Sequence, residues 1–326
     1  MHGHFRLRIS WFLLTALIFG GISAPAAKPY EETQKTHSWF SFNRPSKKNP
    51  VDQLAHADAL FEAGKMRKAG RAYKALAITW PGSPQVIPAQ LRYARTLDAR
   101  HKLEPAFDAY QALMEGNAGG FAYDEVLKRQ FEIAQEIMNK RKGKLLIFGG
   151  FKAPEHAIPL FEKVVQNGPR APFAPQAQYL IGQCNEFAEE YELAVVAYMT
   201  AQHRYPLSPY AEKAAFGRAR ALYTLSEESP NDADALEQAL AGVVLFLNRY
   251  PDSEETELAK AYRDTLYTKR VRAAYNQALF YDKLTRKPVA ALQAYRSFVK
   301  MYPRSEWAEV AQQRIDELAA HVEKTE

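Results

Sequence analysis

Four times along this chain an aromatic residue runs into proline, a serine follows two positions later, and an alanine-bearing helical pattern begins. The copies are TWPGSPQVIPAQL from Thr79, HRYPLSPYAEKAA from His203, RYPDSEETELAKA from Arg249 and MYPRSEWAEVAQQ from Met301. Proline lacks an amide hydrogen and drives the residue before it out of helical geometry, so each copy reads as a helix stop. The serine is suited to cap the next helix, so it reads as a start. A chain punctuated in this way is a string of short helices.

The stretch between stops has its own pattern. Ala177, Leu180, Ile181 and Cys184 fall on one helical face, and Ala194, Ala197, Tyr198 and Ala201 repeat the spacing on a second helix. Gly182 and Ala194, twelve apart, are small enough to let two antiparallel helices approach closely. The layout returns with Ala57, Leu60, Ala69, Tyr73 and Leu76, and with Ala94, Leu97, Ala106, Tyr110 and Leu113. It returns again with Ala134, Ile137, Ala157, Phe161 and Val164, with Ala219, Leu222, Ala239 and Phe246, and with Ala278, Tyr281, Ala291, Tyr295 and Phe298. Small, large, small, aromatic and proline at a period of about 34 residues is the signature of tetratricopeptide repeats. The expectation is an all-α fold: a right-handed superhelix of antiparallel helix pairs, about six repeats over 51–305. SEWAEVAQQRIDELAAHV forms a C-terminal capping helix.

One helical hairpin cannot hide its own apolar stripe, so neighbours stack and leave a concave surface suited to a peptide. Repeat position places Asp58, Phe61, Arg95, Asp98, Tyr179, Gln183 and Glu186 on that surface as candidate partner-binding residues. No catalyst accompanies them: the eight histidines are scattered, and there is no H-E-x-x-H pair, P-loop, G-x-S-x-G elbow or G-x-G-x-x-G after a strand. Cys184, the only cysteine, lies on the apolar stripe and reads as a core thiol. Glu189 with Glu190, and Glu254 with Glu255, read as solvated surface. No cofactor, metal or small-molecule substrate is expected.

The N-terminus is a separate matter. Arg6 and Arg8 precede an apolar run, Trp11–Ile22, of 12 residues, and Ala24 and Ala26 form an A-x-A signal. A bilayer core of roughly 30 Å needs about 20 residues, so residues 1–26 read as a secretory signal peptide. Residues 27–50 follow as a basic linker carrying Trp39, Phe40 and Phe42, then the repeat domain over 51–320 and a tail over 321–326. The net charge of +6 is concentrated early: residues 51–326 hold 36 basic and 35 acidic side chains, so no broad face for nucleic acid is expected. Within them KRKGKLLIFGGFK (140–152) has five bases and no acid. Lys144, Phe148 and Phe151 there suit peripheral contact with an anionic membrane or an acidic partner.

RYPLSPYAEKAAFGRARALY and AYNQALFYDKLTRKPVAALQAYRSFVKMYPRSEWAEVAQQRIDEL resemble the BamD-type tetratricopeptide component of the outer-membrane β-barrel assembly machinery. The resemblance spans most of 51–320 and is best over 172–318. It implies a non-catalytic periplasmic scaffold at the inner face of the outer membrane, binding the barrel-forming subunit through late repeats and unfolded barrel proteins through early ones. Such proteins are commonly lipid-anchored on a cysteine after the signal, and this sequence has no lipobox cysteine. A periplasmic adaptor for cell-envelope or cell-division coordination is the alternative, although the coiled coil such adaptors carry before their repeats is not visible. Intact-mass measurement of the exported protein is expected to give a chain beginning at Ala27.

Overall fold

Hydrogen bonds explain the recurring aromatic–proline–serine segments. In each, the serine amide donates to the aromatic carbonyl: Ser83 to Trp80 (3.0 Å), Ser208 to Tyr205 (3.1 Å), Ser253 to Tyr250 (3.3 Å) and Ser305 to Tyr302 (3.1 Å). Proline thus sits at the second position of a β-turn, where its fixed φ is favoured. The serine carbonyl then accepts from the amide three residues on: Val86, Ala211, Thr256 and Ala308, at 2.9–3.1 Å. A fifth linker, Gly168-Pro169-Arg170-Ala171, makes the same two turns without aromatic or serine. The side chains of Ser83, Ser208 and Ser253 add to this, each Oγ accepting from the amide two residues on, Gln85 (3.3 Å), Tyr210 (3.1 Å) and Glu255 (3.3 Å). Only Ser208 is the N-cap of its helix, its Oγ accepting from Tyr210, and Ser305 Oγ is buried without a partner.

The computed structural model describes residues 44–142 and 151–322, within a unit spanning Asn43–Glu326. The expected signal segment, residues 27–43 of the expected linker, and Lys144 and Phe148 lie outside the described residues. Six helix pairs follow one another, packed as hairpins. They are α1 (Pro50–Glu62) with α2 (Met66–Thr79), α3 (Val86–Asp98) with α4 (Leu103–Gly116), and α5 (Tyr123–Asn139) with α6 (Ile158–Asn167). Next come α7 (Ala174–Phe187) with α8 (Tyr191–Arg204), α9 (Pro209–Glu228) with α10 (Ala233–Arg249), and α11 (Thr256–Leu279) with α12 (Pro288–Met301). A single helix, α13 (Ala308–Val322), closes the series against α12. This is the tetratricopeptide-repeat superhelix that the spacing predicts.

Two hairpins are irregular. In the third, a two-residue antiparallel ladder pairs Arg141 with Lys152 and Lys142 with Phe151, and a 3-10 turn, Pro154–Ala157, leads into α6. In the fifth, the SEESPNDAD insertion mostly lengthens its helices, α9 to 20 residues and α10 to 17 against 14 for α7 and α8. Asp232 starts α10 by accepting from the amides of Asp234 and Ala235.

The apolar core passes from hairpin to hairpin. One cluster joins Ala94, Phe107, Phe131, Phe161, Ile181, Cys184 and Ala197, so three consecutive hairpins share buried surface. That is why no hairpin is a stable unit alone. Cys184 is fully buried there, and burial pushes its thiol up to about 12, as befits a packing residue. Gly182 opposes Tyr198 rather than Ala194: a Cβ on Gly182 would stand 2.4 Å from that ring, and one on Gly217 of the next hairpin 2.6 Å from it. Tyr198 is thus clasped between two glycines.

Four hairpins share one turn. Gly64, His101, Glu189 and Arg286 have φ of 70°, 53°, 61° and 51°. Each stands nine residues before a buried tyrosine: Tyr73, Tyr110, Tyr198 or Tyr295. In the first three, the next amide reaches back five residues, Lys65 to Leu60 (2.9 Å), Lys102 to Leu97 (3.0 Å) and Glu190 to Asn185 (2.9 Å). This is a left-handed C-terminal cap. A side chain in that region costs about 1 kcal/mol. His101→Gly and Glu189→Gly are each expected to raise stability by roughly 0.5–1 kcal/mol, read as a higher denaturant midpoint with an unchanged m-value.

Candidate partner-binding cleft

The shared turn sets a buried tyrosine against an acid on the preceding helix. Tyr73 donates to Asp58 Oδ1 (2.7 Å), Tyr198 to Glu186 Oε2, and Tyr295 to Asp282 Oδ2 (3.3 Å). Burial, and then the Asp98 carboxylate, push the Tyr110 phenol up to about 12. Each acid is also held by an arginine from the following hairpin or, at the end, from α13. Arg92 holds Asp58, Arg129 grips Asp98 (2.7 and 2.7 Å), Arg220 grips Glu186 (2.8 and 2.8 Å), and Arg314 grips Asp282 (2.8 and 2.8 Å). Acid and arginine are separated by 34, 31, 34 and 32 residues, one repeat in each case. The two irregular hairpins place Phe161 and Val243 at the tyrosine's position, four residues after a buried alanine.

In the last hairpin a π-helical segment, Phe280–Leu284, delivers the acid. The Thr285 amide reaches five residues back to the Phe280 carbonyl (3.0 Å), and the extra residue turns Asp282 inward, its side chain 4% exposed. Such bulges insert one residue into a helix without ending it.

The first helices of hairpins four and five, α7 and α9, then form a cleft of about 630 Å³ with the α10–α11 turn. Phe216, buried, forms part of its lining, and Arg220 lies 5.3 Å from that ring. Tyr179 lines the α7 side, with ring centroids 5.7 Å from both Tyr198 and Tyr210. Below Phe216, Tyr262 stacks at 6.3 Å and Tyr223 stacks on Tyr262 at 4.2 Å. The rim carries Glu212 and Lys213 from α9 and Asp252, Glu254 and Glu255 from the turn. Burial raises the Tyr179 and Tyr262 phenols, Arg220 works against it, and Glu186 and Glu255 reinforce it.

Of the sequence-proposed residues, Tyr179, Gln183 and Glu186 come together: Gln183 Nε2 donates to Tyr179 Oη (2.9 Å), and Glu186 holds Arg220 beside the cleft. Asp58, Asp98 and Glu186 are committed to neighbouring hairpins, so they bind the array to itself. Phe61 is half-buried against the core of the first hairpin, and Arg95 is exposed on α3. Phe151 is placed only as ladder backbone. Phe216, Arg220 and Tyr262 were not singled out from sequence, and the signal for them was the repeat-length spacing from Glu186 to Arg220. Among the described residues no cluster of His, Cys, Asp and Glu is grouped to hold a metal, and no helix is long and apolar enough to cross a membrane.

Arg314 holds the Asp282 carboxyl below the ordinary aspartate range, against the opposing effect of burial. A depressed acid lends stability that is full above its unfolded value of about 3.9 and drains as pH falls through the folded value. Asp282→Asn is expected to lower the urea midpoint at pH 7, with the gap to the parent closing toward pH 3. Equal midpoints at pH 7 would contradict the clamp.

Comparison with known proteins gives a match to the family model described as YfiO, outer membrane lipoprotein, over residues 174–326. No curated protein matches the chain. Among solved structures, a tetratricopeptide repeat protein from Parabacteroides merdae is 13% identical, with 83% of this chain and 98% of that chain covered at a TM-score of 0.31. YrrB, titled a TPR protein with an unusual peptide-binding site, is 11% identical, with 65% and 92% covered and a TM-score of 0.31. The TPR domain of P58(IPK) is 15% identical, with 82% and 77% covered and a TM-score of 0.34. The matched family segment begins at the first residue of α7 and takes in the whole cleft. Residues 174–326, a little under half of the chain, are thus similar to the YfiO family of outer membrane lipoproteins.

Proposed function

We propose that this protein is a non-catalytic periplasmic scaffold in the assembly and insertion of outer-membrane β-barrel proteins. In this reading it sits at the inner face of the outer membrane and holds the barrel-assembly subunit, or an unfolded barrel protein, on its first-helix face. The observation that carries the reading is the coincidence of the family segment, residues 174–326, with the hairpins that build the aromatic cleft. Stacked hairpins supply a rigid surface on which an extended segment pays little for ordering the receptor. The interior chemistry agrees: the one thiol is buried with a raised pKa, and the buried acids are tied to arginines rather than free to move protons.

Affinity purification from cell envelopes tests the reading. It is expected to recover a β-barrel assembly subunit with the full chain, and depletion of the protein is expected to lower the barrel content of the outer membrane. Recovery of division or wall-synthesis proteins alone would overturn it in favour of an envelope adaptor.

A further inference from the structure

Four acids on the inner helices are satisfied by the array's own arginines, and the acids around the cleft are not. Asp58, Asp98 and Glu186 each receive a guanidinium from the next hairpin, and Asp282 receives one from α13. Around the cleft, Glu212, Asp252, Glu254 and Glu255 come from two separate segments, α9 and the α10–α11 turn, and none of them is in an ion pair among the described residues. The cleft's own bases do not answer them: Arg220 is already bidentate on Glu186, and Lys213 lies over the Tyr210 ring at 5.6 Å. The wall is aromatic, with Tyr179 beside the opening and Phe216 within.

Resting on the reading of this cleft as a partner site, we propose that it takes an arginine side chain from an extended segment of the partner protein. The chain itself displays the chemistry next door. Arg220 stacks on Phe216 while its two nitrogens engage one carboxylate. A planar guanidinium matches a carboxylate with two parallel hydrogen bonds and stacks on an aromatic face, whereas an ammonium is a strongly hydrated point charge. At about 630 Å³ the cleft accommodates one long side chain with part of its backbone. The excess of carboxylates at the rim disfavours an acidic segment by the same field that draws a basic one. Glu254 and Glu255 are exposed; the Glu255 backbone starts α11, and neither carboxylate is in an ion pair among the described residues, which leaves both free for recognition.

The test uses the full chain and a fluorescein-labelled peptide, Gly-Ser-Phe-Arg-Phe-Ser-Gly, with versions carrying lysine, citrulline or glutamate at the central position. Fluorescence anisotropy is expected to show binding of the arginine peptide, weaker binding with lysine, and a loss of about tenfold or more with citrulline, which keeps the shape and removes the charge. A Glu212→Gln, Glu254→Gln, Glu255→Gln variant is expected to lose binding by about the same factor with its thermal midpoint unchanged. Lys213→Gln is expected to bind the arginine peptide at least as well as the parent. No binding of the arginine peptide, or equal binding of the citrulline peptide, overturns the proposal. Envelope purification with the triple variant separates the two levels. If parent and variant recover the barrel-assembly subunit equally, the arginine site falls and the scaffold reading stands. If the parent itself recovers none, the scaffold reading falls.

Discussion

The structure depends on a buried phenol whose hydroxyl meets a carboxylate that the next repeat also grips. Tyr198 is held this way: glycines on two helices clasp its ring, Glu186 takes its proton donor, and Arg220 ties that acid to the following hairpin. Apolar burial supplies most of the stabilisation, as in any repeat array. Pairs of this kind add little net energy against their desolvation. Their effect is on register. One carboxylate reaches a helix of its own hairpin and a helix of the next, so a slip of either by a turn leaves a charge or a hydroxyl buried and unpaired.

The turn and the clamp are one device. Gly64, His101, Glu189 and Arg286 reverse the chain in a left-handed conformation nine residues ahead of the tyrosine, which fixes the acid opposite the ring. Where the reversal is replaced by an insertion, as in hairpins three and five, the tyrosine is replaced as well, by Phe161 and Val243. The irregular hairpins bond to their neighbours by apolar packing and by other pairs, such as Lys269 with Glu227 and Arg270 with Glu237. Even the π-helical segment obeys the rule, because its added residue returns Asp282 to the face that Tyr295 and Arg314 require.

Much of this was legible in the sequence because helix periodicity and proline are local signals. The small residues Ala69, Ala106, Ala157, Ala194, Ala239 and Ala291 are all fully buried, as their spacing implies. The serines of the linkers misled in part: three of the four side chains do accept the amide two residues on, but the turns themselves use the carbonyls, and Gly168–Ala171 makes the same turns without a serine. The acids misled more. Asp58, Asp98 and Glu186 are polar residues on the inner helices, which marks a groove in a single repeat viewed alone. Their partners lie 31 to 34 residues away, beyond the reach of any reading confined to one helix. The cleft was only half visible for the same reason, since Tyr179 and Glu255 meet through the stacking of three hairpins.

The solitary thiol has a consequence of its own. Cys184 lies sealed where the second, third and fourth hairpins meet, and its burial suppresses the thiolate that an alkylating reagent needs. Its reaction rate in the native protein therefore clocks the parting of those hairpins, with no introduced label and no second thiol to confuse the reading.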